Sequence, residues 1–102
     1  MNNKTKYPQQ YAEFEKITKE MYRVHIEKNN CYGSGNIAEL GMKGTFCRIH
    51  DKVSRLKQLV WKADEDAIKS AKGMNESVED TLLDLANYAV IALIQGKDKW
   101  GK

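Results

Sequence analysis

The stretch that decides the fold runs from Glu76 to Gln95 and reads ESVEDTLLDLANYAVIALIQ. Its first half is acidic, but after Asn87 the only polar group before Gln95 is the hydroxyl of Tyr88. A helix that is apolar nearly all round is a central one, packed on several sides. Two apolar stripes recur at helical spacing, one through Val78, Leu82, Leu85 and Ala89, the other through Leu83, Ala86, Val90 and Ile94.

Two further segments show helical periodicity. The first is expected from Pro8 to Asn29, because proline suits a first helical position and apolar residues return every three or four positions. The second is expected from Thr45 to Lys62, with a narrow apolar stripe at the same spacing. The fold class predicted is therefore all-α: a small bundle of three main helices. The stripes are Tyr11, Phe14, Ile17, Met21 and Val24 in the first segment, and Ile49, Val53, Leu56 and Val60 in the second.

The segment CYGSGNIAELGMKGTF between these helices is rich in glycine. We expect a connection that breaks regular structure, with one helical turn over Asn36 to Leu40. The string GSGNIA fits the G-x-G-x-x-A dinucleotide fingerprint, but that fingerprint needs a strand before it and a helix after it. Here a polar helix precedes the string, so the match is accidental. The later segment ADEDAIKSAKGMN is expected to be an exposed helical turn and loop.

The 102 residues predict one helical domain over residues 8–95, with flexible tails at 1–7 and 96–102. The net charge of +3 is mild and the lysines are dispersed, so no specific nucleic acid is predicted. The longest apolar run, AVIALI, is too short to span a membrane. Two cysteines without a signal peptide favour a reducing cytoplasm, and the spacing of His25, Cys31, Cys47 and His50 is not a usual zinc pattern.

Asp80, Asp84 and Asn87 share one side of the last helix, at i, i+4 and i+7. Two carboxylates one turn apart repel each other, and burying either alone is costly. A cation should lie nearby, either a divalent metal such as Mg²⁺ or a Lys or Arg of another helix. The alternative is helix capping, with Ser77-x-x-Asp80 as a capping box and with Glu76 and Glu79 in the first turn. Capping leaves Asp84 and Asn87 unexplained.

A group of mixed sign lies on the preceding helix: Arg48, Asp51, Lys52 and Arg55. One interpretation is a solvated face held by pairs within the helix. The other is that this face meets Asp80 and Asp84, with Lys52 and Arg55 holding those carboxylates or a ligand phosphate. Both stay open from the local sequence alone.

The runs NNCYGSG, ELGMKGTFCRIHDKVSRLKQL and NESVEDTLLDLANYAVIAL together resemble nucleotide modification associated domain 1, a small domain of phages and bacteria. The resemblance covers about residues 28–93. It implies a place near the all-α, MazG-like nucleoside triphosphate pyrophosphatases, which hold magnesium with helix carboxylates and cleave nucleotides between the α and β phosphates.

Carried over by position, the resemblance implies Asp80 and Asp84 as catalytic metal ligands and Glu79 as a third ligand to Mg²⁺. It implies that a nucleotide is faced by Asp51, Lys52 and Arg55, with Asn87 orienting a ligand or water. We add Arg48 and Tyr32 to the binding candidates, the latter because its ring offers a flat surface to a base.

The resemblance, together with these residues, implies a nucleotide-binding protein of phage-type nucleotide metabolism, and we expect it to be cytoplasmic and homo-oligomeric. Whether it is a Mg²⁺-dependent pyrophosphohydrolase stays open. The pyrophosphatases carry E-E-x-x-E where this chain has Arg48, Asp51 and Arg55. That difference favours the first alternative, a non-catalytic protein that sequesters a nucleotide or a nucleotide-derived signal. The second alternative is a structural subunit whose charges form internal ion pairs.

Overall fold

The computed structural model of the chain describes residues 6–61, 69–70 and 73–102. Three helices account for most of them: α1 (Pro8–Tyr32), α2 (Gly35–Leu56) and α3 (Glu76–Gly96). A π-helical turn over Lys57–Trp61 continues α2. Two short strands, β1 (Lys69–Ser70) and β2 (Gly73–Met74), pair antiparallel where the sequence predicted a helical turn and loop. Residues 62–68 and 71–72 lie outside the described residues, and these include most of that segment and Lys62, the predicted end of the second helix. The prediction of an all-α fold with three main helices is confirmed.

The chain divides into two compact units, Met1–Gly33 and Ser34–Lys102. In the first unit, Pro8 opens α1 as expected. The helix continues one turn beyond the predicted stop at Asn29, and it ends where the backbone N–H of Gly33 donates to Asn29 O at 2.7 Å. None of the α1 residues is buried. Arg23 of α1 pairs within the helix, with Glu20 and Glu27.

In the second unit, α2 begins inside the glycine-rich segment, ten residues before the predicted start at Thr45. The chain kinks at Gly41, where φ is 64° and ψ is −159°. Residues that carry a side chain rarely adopt a positive φ, so this position requires glycine. A Cβ at Gly44 would collide with the side chain of Leu40. The glycines therefore bend one helix, whereas the sequence analysis expected them to separate two.

Helices α2 and α3 run antiparallel and form the centre of the second unit. Three contacts between them establish the direction: Arg48 with Tyr88, Lys52 with Asp84, and Arg55 with Thr81. Each step of four or three residues along α2 is matched by an equal step back along α3. The buried side chains of the described residues are Ile37, Thr45, Val78, Thr81 and Ile91.

The start of α3 is capped by Asn75, whose Oδ1 accepts hydrogen bonds from the backbone N–H groups of Ser77 at 3.0 Å and Val78 at 3.4 Å. The predicted capping box from Ser77 to Asp80 is wrong, because Ser77 already lies inside the helix. Asparagine satisfies N–H groups that have no partner within the helix. Asp80 is thereby left without a capping role. Within the described ranges, no helix combines the length and the apolarity that crossing a bilayer requires.

The chain folds back on itself after α3. The indole Nε1 of Trp100 donates to the backbone carbonyl of Ser34 at 2.9 Å, and Trp100 is half-buried. Two backbone hydrogen bonds to Ile94 O, from the N–H groups of Lys97 and Lys99, turn the chain toward this contact. The segment following the last helix is thus placed against the residue that precedes α2.

Candidate functional site

Asp84 is met by a lysine of α2. Lys52 Nζ lies 3.1 Å from Asp84 Oδ2, and the two side chains are 27% and 31% exposed. From the sequence, either a metal ion or a basic residue of the preceding helix could approach this carboxylate. Of the two carboxylates expected to meet the mixed-sign face of α2, Asp84 does so through Lys52. Asp80 makes no ion pair among the described residues. Partial burial makes the pair less screened than a surface ion pair.

One turn toward the end of α2, Arg55 reaches α3 through a hydroxyl. Its Nε donates to Thr81 Oγ1 at 3.2 Å, and Thr81 Oγ1 in turn donates to the backbone carbonyl of Ser77 at 2.6 Å. Thr81 is buried. Because the partner of Arg55 is neutral, the charge of the guanidinium is not compensated by this contact.

Arg48 also faces a neutral group of α3. Its guanidinium carbon lies 5.9 Å from the centre of the Tyr88 ring, within the range of a cation–π contact. Beyond it, Thr45 Oγ1 donates to Gln95 Oε1 at 2.7 Å. Thr45 is only 1% exposed, so this hydrogen bond is shielded from water.

These contacts form one continuous strip, which we call the polar seam. Its α2 members follow one another at steps of three and four residues, the spacing of a helix–helix contact stripe. The α3 members do the same once the buried Ile91 is included. Polar residues at this spacing in an otherwise apolar helix are a signal that the sequence analysis missed. The polar seam consists of Thr45, Arg48, Lys52 and Arg55 on α2 and Thr81, Asp84, Tyr88 and Gln95 on α3.

The other candidates on α2 and α3 lie beside the polar seam. Asp51, Glu79 and Asp80 are exposed, and Asn87 is half-buried. Over the described part of the chain, none of these four side chains makes a hydrogen bond or an ion pair. Tyr32 is the last residue of α1, exposed, and belongs to the first unit. Its role toward a base stays a prediction.

The geometry of possible metal donors can be stated for residues 6–61, 69–70 and 73–102. Among them, no three His, Cys, Asp or Glu side chains come together in a group that could hold a metal ion. Asp84 already faces the ammonium of Lys52. Cys31 and Cys47 are both exposed free thiols. A magnesium ion at Asp80 and Asp84 would therefore need further oxygens from a substrate and from water.

The polar seam carries more positive than negative charge. Three cations, Arg48, Lys52 and Arg55, extend along α2, but only Lys52 meets a carboxylate of α3. Guanidinium groups match phosphate oxygens in bidentate geometry, and hydrogen bonds between ionised partners are the strong ones. The arrangement suits capture of an anion with several oxygens.

One family model, described as nucleotide modification associated domain 1, matches residues 28–95, about two thirds of the chain. The match covers α2, α3 and the whole polar seam, and it leaves most of α1 outside. No curated protein and no solved structure matches the chain.

Proposed function

The chain belongs to the nucleotide modification associated domain 1 family, and from that premise we propose that it binds a nucleotide along the polar seam. The observation that carries this proposal is the pair of arginines, Arg48 and Arg55, which face neutral partners on α3. A nucleotide offers phosphate oxygens as the missing negative charge.

Arg55 is the stronger of the two phosphate ligands. A guanidinium carries five N–H donors in a fixed fork, and the contact with Thr81 uses only Nε. Among the described residues Arg55 makes no ion pair, so its Nη groups face no carboxylate there. The contact with Thr81 also holds the side chain in place, which lowers the entropy lost on binding.

Lys52 has a different part in this proposal. Its ammonium is held by Asp84 at 3.1 Å, between the two arginines. A phosphate that approaches Arg48 and Arg55 therefore passes a pair that is already neutral. Asp51 and Asp80 are exposed and directly precede Lys52 and Thr81 in the sequence, and their negative charge repels anions.

A second candidate function, the Mg²⁺-dependent pyrophosphohydrolase, is favoured by the position of Asp80. This carboxylate lies one turn before Asp84, is exposed, and makes no ion pair within the described ranges. Asp80 and Asp84 would hold the ion together with phosphate and water oxygens, because Glu79 does not group with these two carboxylates among the described residues. Bound there, Mg²⁺ would neutralise phosphate charge and polarise phosphorus toward attack by water. The phage-type metabolic setting and the MazG-like relationship belong to this same proposal.

Binding is tested by titrating purified protein with a panel of nucleoside mono-, di- and triphosphates in a calorimeter. We expect Arg55→Gln to weaken binding by about tenfold to a hundredfold, because a hydrogen bond to a charged group contributes roughly 1.5–3 kcal/mol. Arg48→Gln should weaken it less, because its present contact is with a ring.

Arg23→Gln is the matched control, since it removes the same charge from α1, outside the family match. It should leave affinity unchanged. Equal affinities for wild type and both polar seam variants would exclude the polar seam as the binding site. Mass spectrometry of small molecules that co-purify with the protein would identify the ligand.

Hydrolysis is tested separately with the nucleotide that binds best. Chromatography of the products, with and without Mg²⁺, distinguishes an intact ligand from cleavage between the α and β phosphates. Asp80→Asn should abolish turnover and leave binding in place if the second candidate is correct. Binding without turnover would exclude hydrolysis and support the sequestering function.

A further inference from the structure

Asp84 is partly buried, whereas the other two carboxylates expected to bind Mg²⁺, Glu79 and Asp80, are exposed. The carboxylate of Asp84 already meets a cation of the chain, because Lys52 Nζ lies 3.1 Å from Asp84 Oδ2. In nucleotide sites Mg²⁺ is bound through one or two carboxylates together with substrate phosphates. The ammonium of Lys52 therefore lies at the carboxylate that a metal ion would need.

Asp80 is the next carboxylate along α3 from Asp84. It precedes Asp84 by four residues, about 6 Å along the helix axis. Over residues 6–61, 69–70 and 73–102, no group of three metal-binding side chains forms around these two. Mg²⁺ requires a nearly octahedral set of oxygens and gives up its water reluctantly. Two carboxylates, one of which contacts an ammonium, do not suit this ion in the free chain.

Positive charge lies on both sides of the pair between Lys52 and Asp84. Arg48 precedes Lys52 by four residues and Arg55 follows it by three, about 6 Å and 4.5 Å along the axis of α2. Both arginines contact neutral groups of α3, a ring and a hydroxyl. The polar seam thus holds three cations and one carboxylate. This excess of positive charge repels a divalent cation and attracts a phosphate.

A lysine ammonium can connect two anions, as a metal ion does. It carries three N–H donors, and the contact with Asp84 Oδ2 uses one of them. The other donors can meet phosphate oxygens, and hydrogen bonds between ionised partners are the strong ones. A metal ion that displaced Lys52 would leave its ammonium without the carboxylate, which is costly where the side chain is only 27% exposed.

We propose that Lys52 replaces the metal ion of this site. Its ammonium connects Asp84 to a phosphate of the nucleotide, so binding needs no Mg²⁺. Asp84 is the positioning residue that holds the ammonium between the two arginines. This inference rests on the proposed nucleotide site and assigns the cation that acts there.

The first experiment uses Mn²⁺ alone, without nucleotide. Mn²⁺ prefers the same oxygen ligands as Mg²⁺, and electron paramagnetic resonance measures how much of it stays free. Wild type and Asp84→Asn should bind Mn²⁺ equally weakly. Lys52→Met leaves Asp84 without its ammonium, so this variant should bind Mn²⁺ at least about tenfold more tightly than wild type.

Lys43→Met is the matched control, because it removes the same charge from an exposed position of α2. It should bind Mn²⁺ as wild type does, and adding Asp84→Asn to Lys52→Met should abolish the gain. Mn²⁺ binding by wild type that Asp84→Asn abolishes would overturn the proposal. A folded Lys52→Met variant, as judged by circular dichroism, that binds Mn²⁺ no better than wild type would also overturn it.

The second experiment is calorimetric titration with ATP, GTP, CTP and UTP, each in EDTA and in Mg²⁺. Wild type should bind at least as tightly in EDTA as in Mg²⁺. In Lys52→Met the charge of Asp84 faces the phosphate, so affinity in EDTA should fall at least about tenfold, and Mg²⁺ should restore part of it. The added Asp84→Asn change should remove this dependence on Mg²⁺.

The two experiments separate this inference from the proposed function. Wild type that binds nucleotide only with Mg²⁺ would contradict the role of Lys52 and leave the nucleotide site in place. Wild type that binds no nucleotide in either buffer would contradict the proposed function itself. Both results come from the unaltered chain, so neither depends on whether a variant folds.

Discussion

Helices α1 and α3 have similar lengths, 25 and 21 residues, but they use their polar side chains in opposite ways. On α1 the ion pairs of Lys19 with Glu15 and of Arg23 with Glu20 lie within the helix. On α3 the polar contacts reach α2, as Asp84 does to Lys52. Pairs within one helix stabilise that helix alone. Contacts between helices fix register, and they place charges where a ligand can meet them.

The comparison shows which charges are candidates for function. A charge with a partner three or four residues away on its own exposed helix is accounted for locally. A charged side chain whose partner on another helix is neutral, as Thr81 is for Arg55, is not neutralised within the fold. Such a side chain is a candidate for binding a ligand. Matched substitutions on α1 and on the α2–α3 pair measure whether they differ as much in energy as in contacts.

The largest difference is expected from removal of apolar side chains. Ile91 is 7% exposed, so Ile91→Ala should lower the free energy of unfolding by about 3 kcal/mol through lost burial and a residual cavity. Phe14 on α1 is 70% exposed, and Phe14→Ala should change stability by less than about 0.5 kcal/mol. Urea denaturation followed by circular dichroism measures both. A comparable loss from Phe14→Ala would show that α1 is covered in solution.

A smaller difference is expected from two threonines. Thr45→Val removes the shielded hydrogen bond to Gln95, at a cost of about 1–2 kcal/mol. Thr18→Val is the matched change on α1, where the exposed hydroxyl lies 3.0 Å from the carbonyl of Phe14. At this exposed position water replaces the lost contact, so the free energy of unfolding should change by less than about 0.5 kcal/mol. Thermal unfolding of both variants gives the ranking, and the reverse order would contradict the assignment of Thr45 to the core.

The ion pairs should differ by less. A double-mutant cycle on Lys52 and Asp84 is expected to give a coupling free energy of about 1 kcal/mol, the upper end for pairs that water still reaches. The same cycle on Arg23 and Glu20 should give a smaller value, since these side chains are more exposed, at 61% and 50%. Raising the salt concentration should reduce the α1 coupling more than the coupling across the polar seam. Equal values would mean that the partial burial of Lys52 and Asp84 contributes nothing.

The smallest effect concerns pH. The hydrogen bond from Arg23 lowers the pKa of Glu20 below its ordinary value of 4.5. A carboxyl group with a lowered pKa stabilises the folded helix above the ordinary value, and that contribution is lost as pH falls through the lowered pKa. Titration of the Glu20 side-chain carbon by NMR measures the shift. In Arg23→Gln the pKa should return toward 4.5, and an unchanged titration would show that the contact does not form in solution.

The fold class could be predicted because helical periodicity is a local property. The apolar stripes of α2 and α3 were sufficient to predict helices. The start of α2 was missed because glycine normally interrupts a helix, whereas here the positive φ of Gly41 bends one. The cap was also missed. Asn and Ser are both preferred N-cap residues, so the sequence alone does not distinguish Asn75 from Ser77.

By itself, the sequence determined that the chain is helical, that α3 is apolar nearly all round, and that Asp84 needs a cation. The residues from Lys28 onward also carried the family resemblance that the match to residues 28–95 bears out. These conclusions depend on spacing along one helix and on the cost of an unpaired charge, and both can be read from residues close in sequence.

Only the tertiary structure decided which cation meets Asp84 and which partners remain neutral. Lys52, Arg48 and Arg55 are equivalent as charges in the sequence. The antiparallel register of α2 and α3 pairs Lys52 with Asp84 and gives the arginines a ring and a hydroxyl. Register depends on how two helices pack over their whole length, which no single segment encodes. The same packing brought the members of the polar seam together.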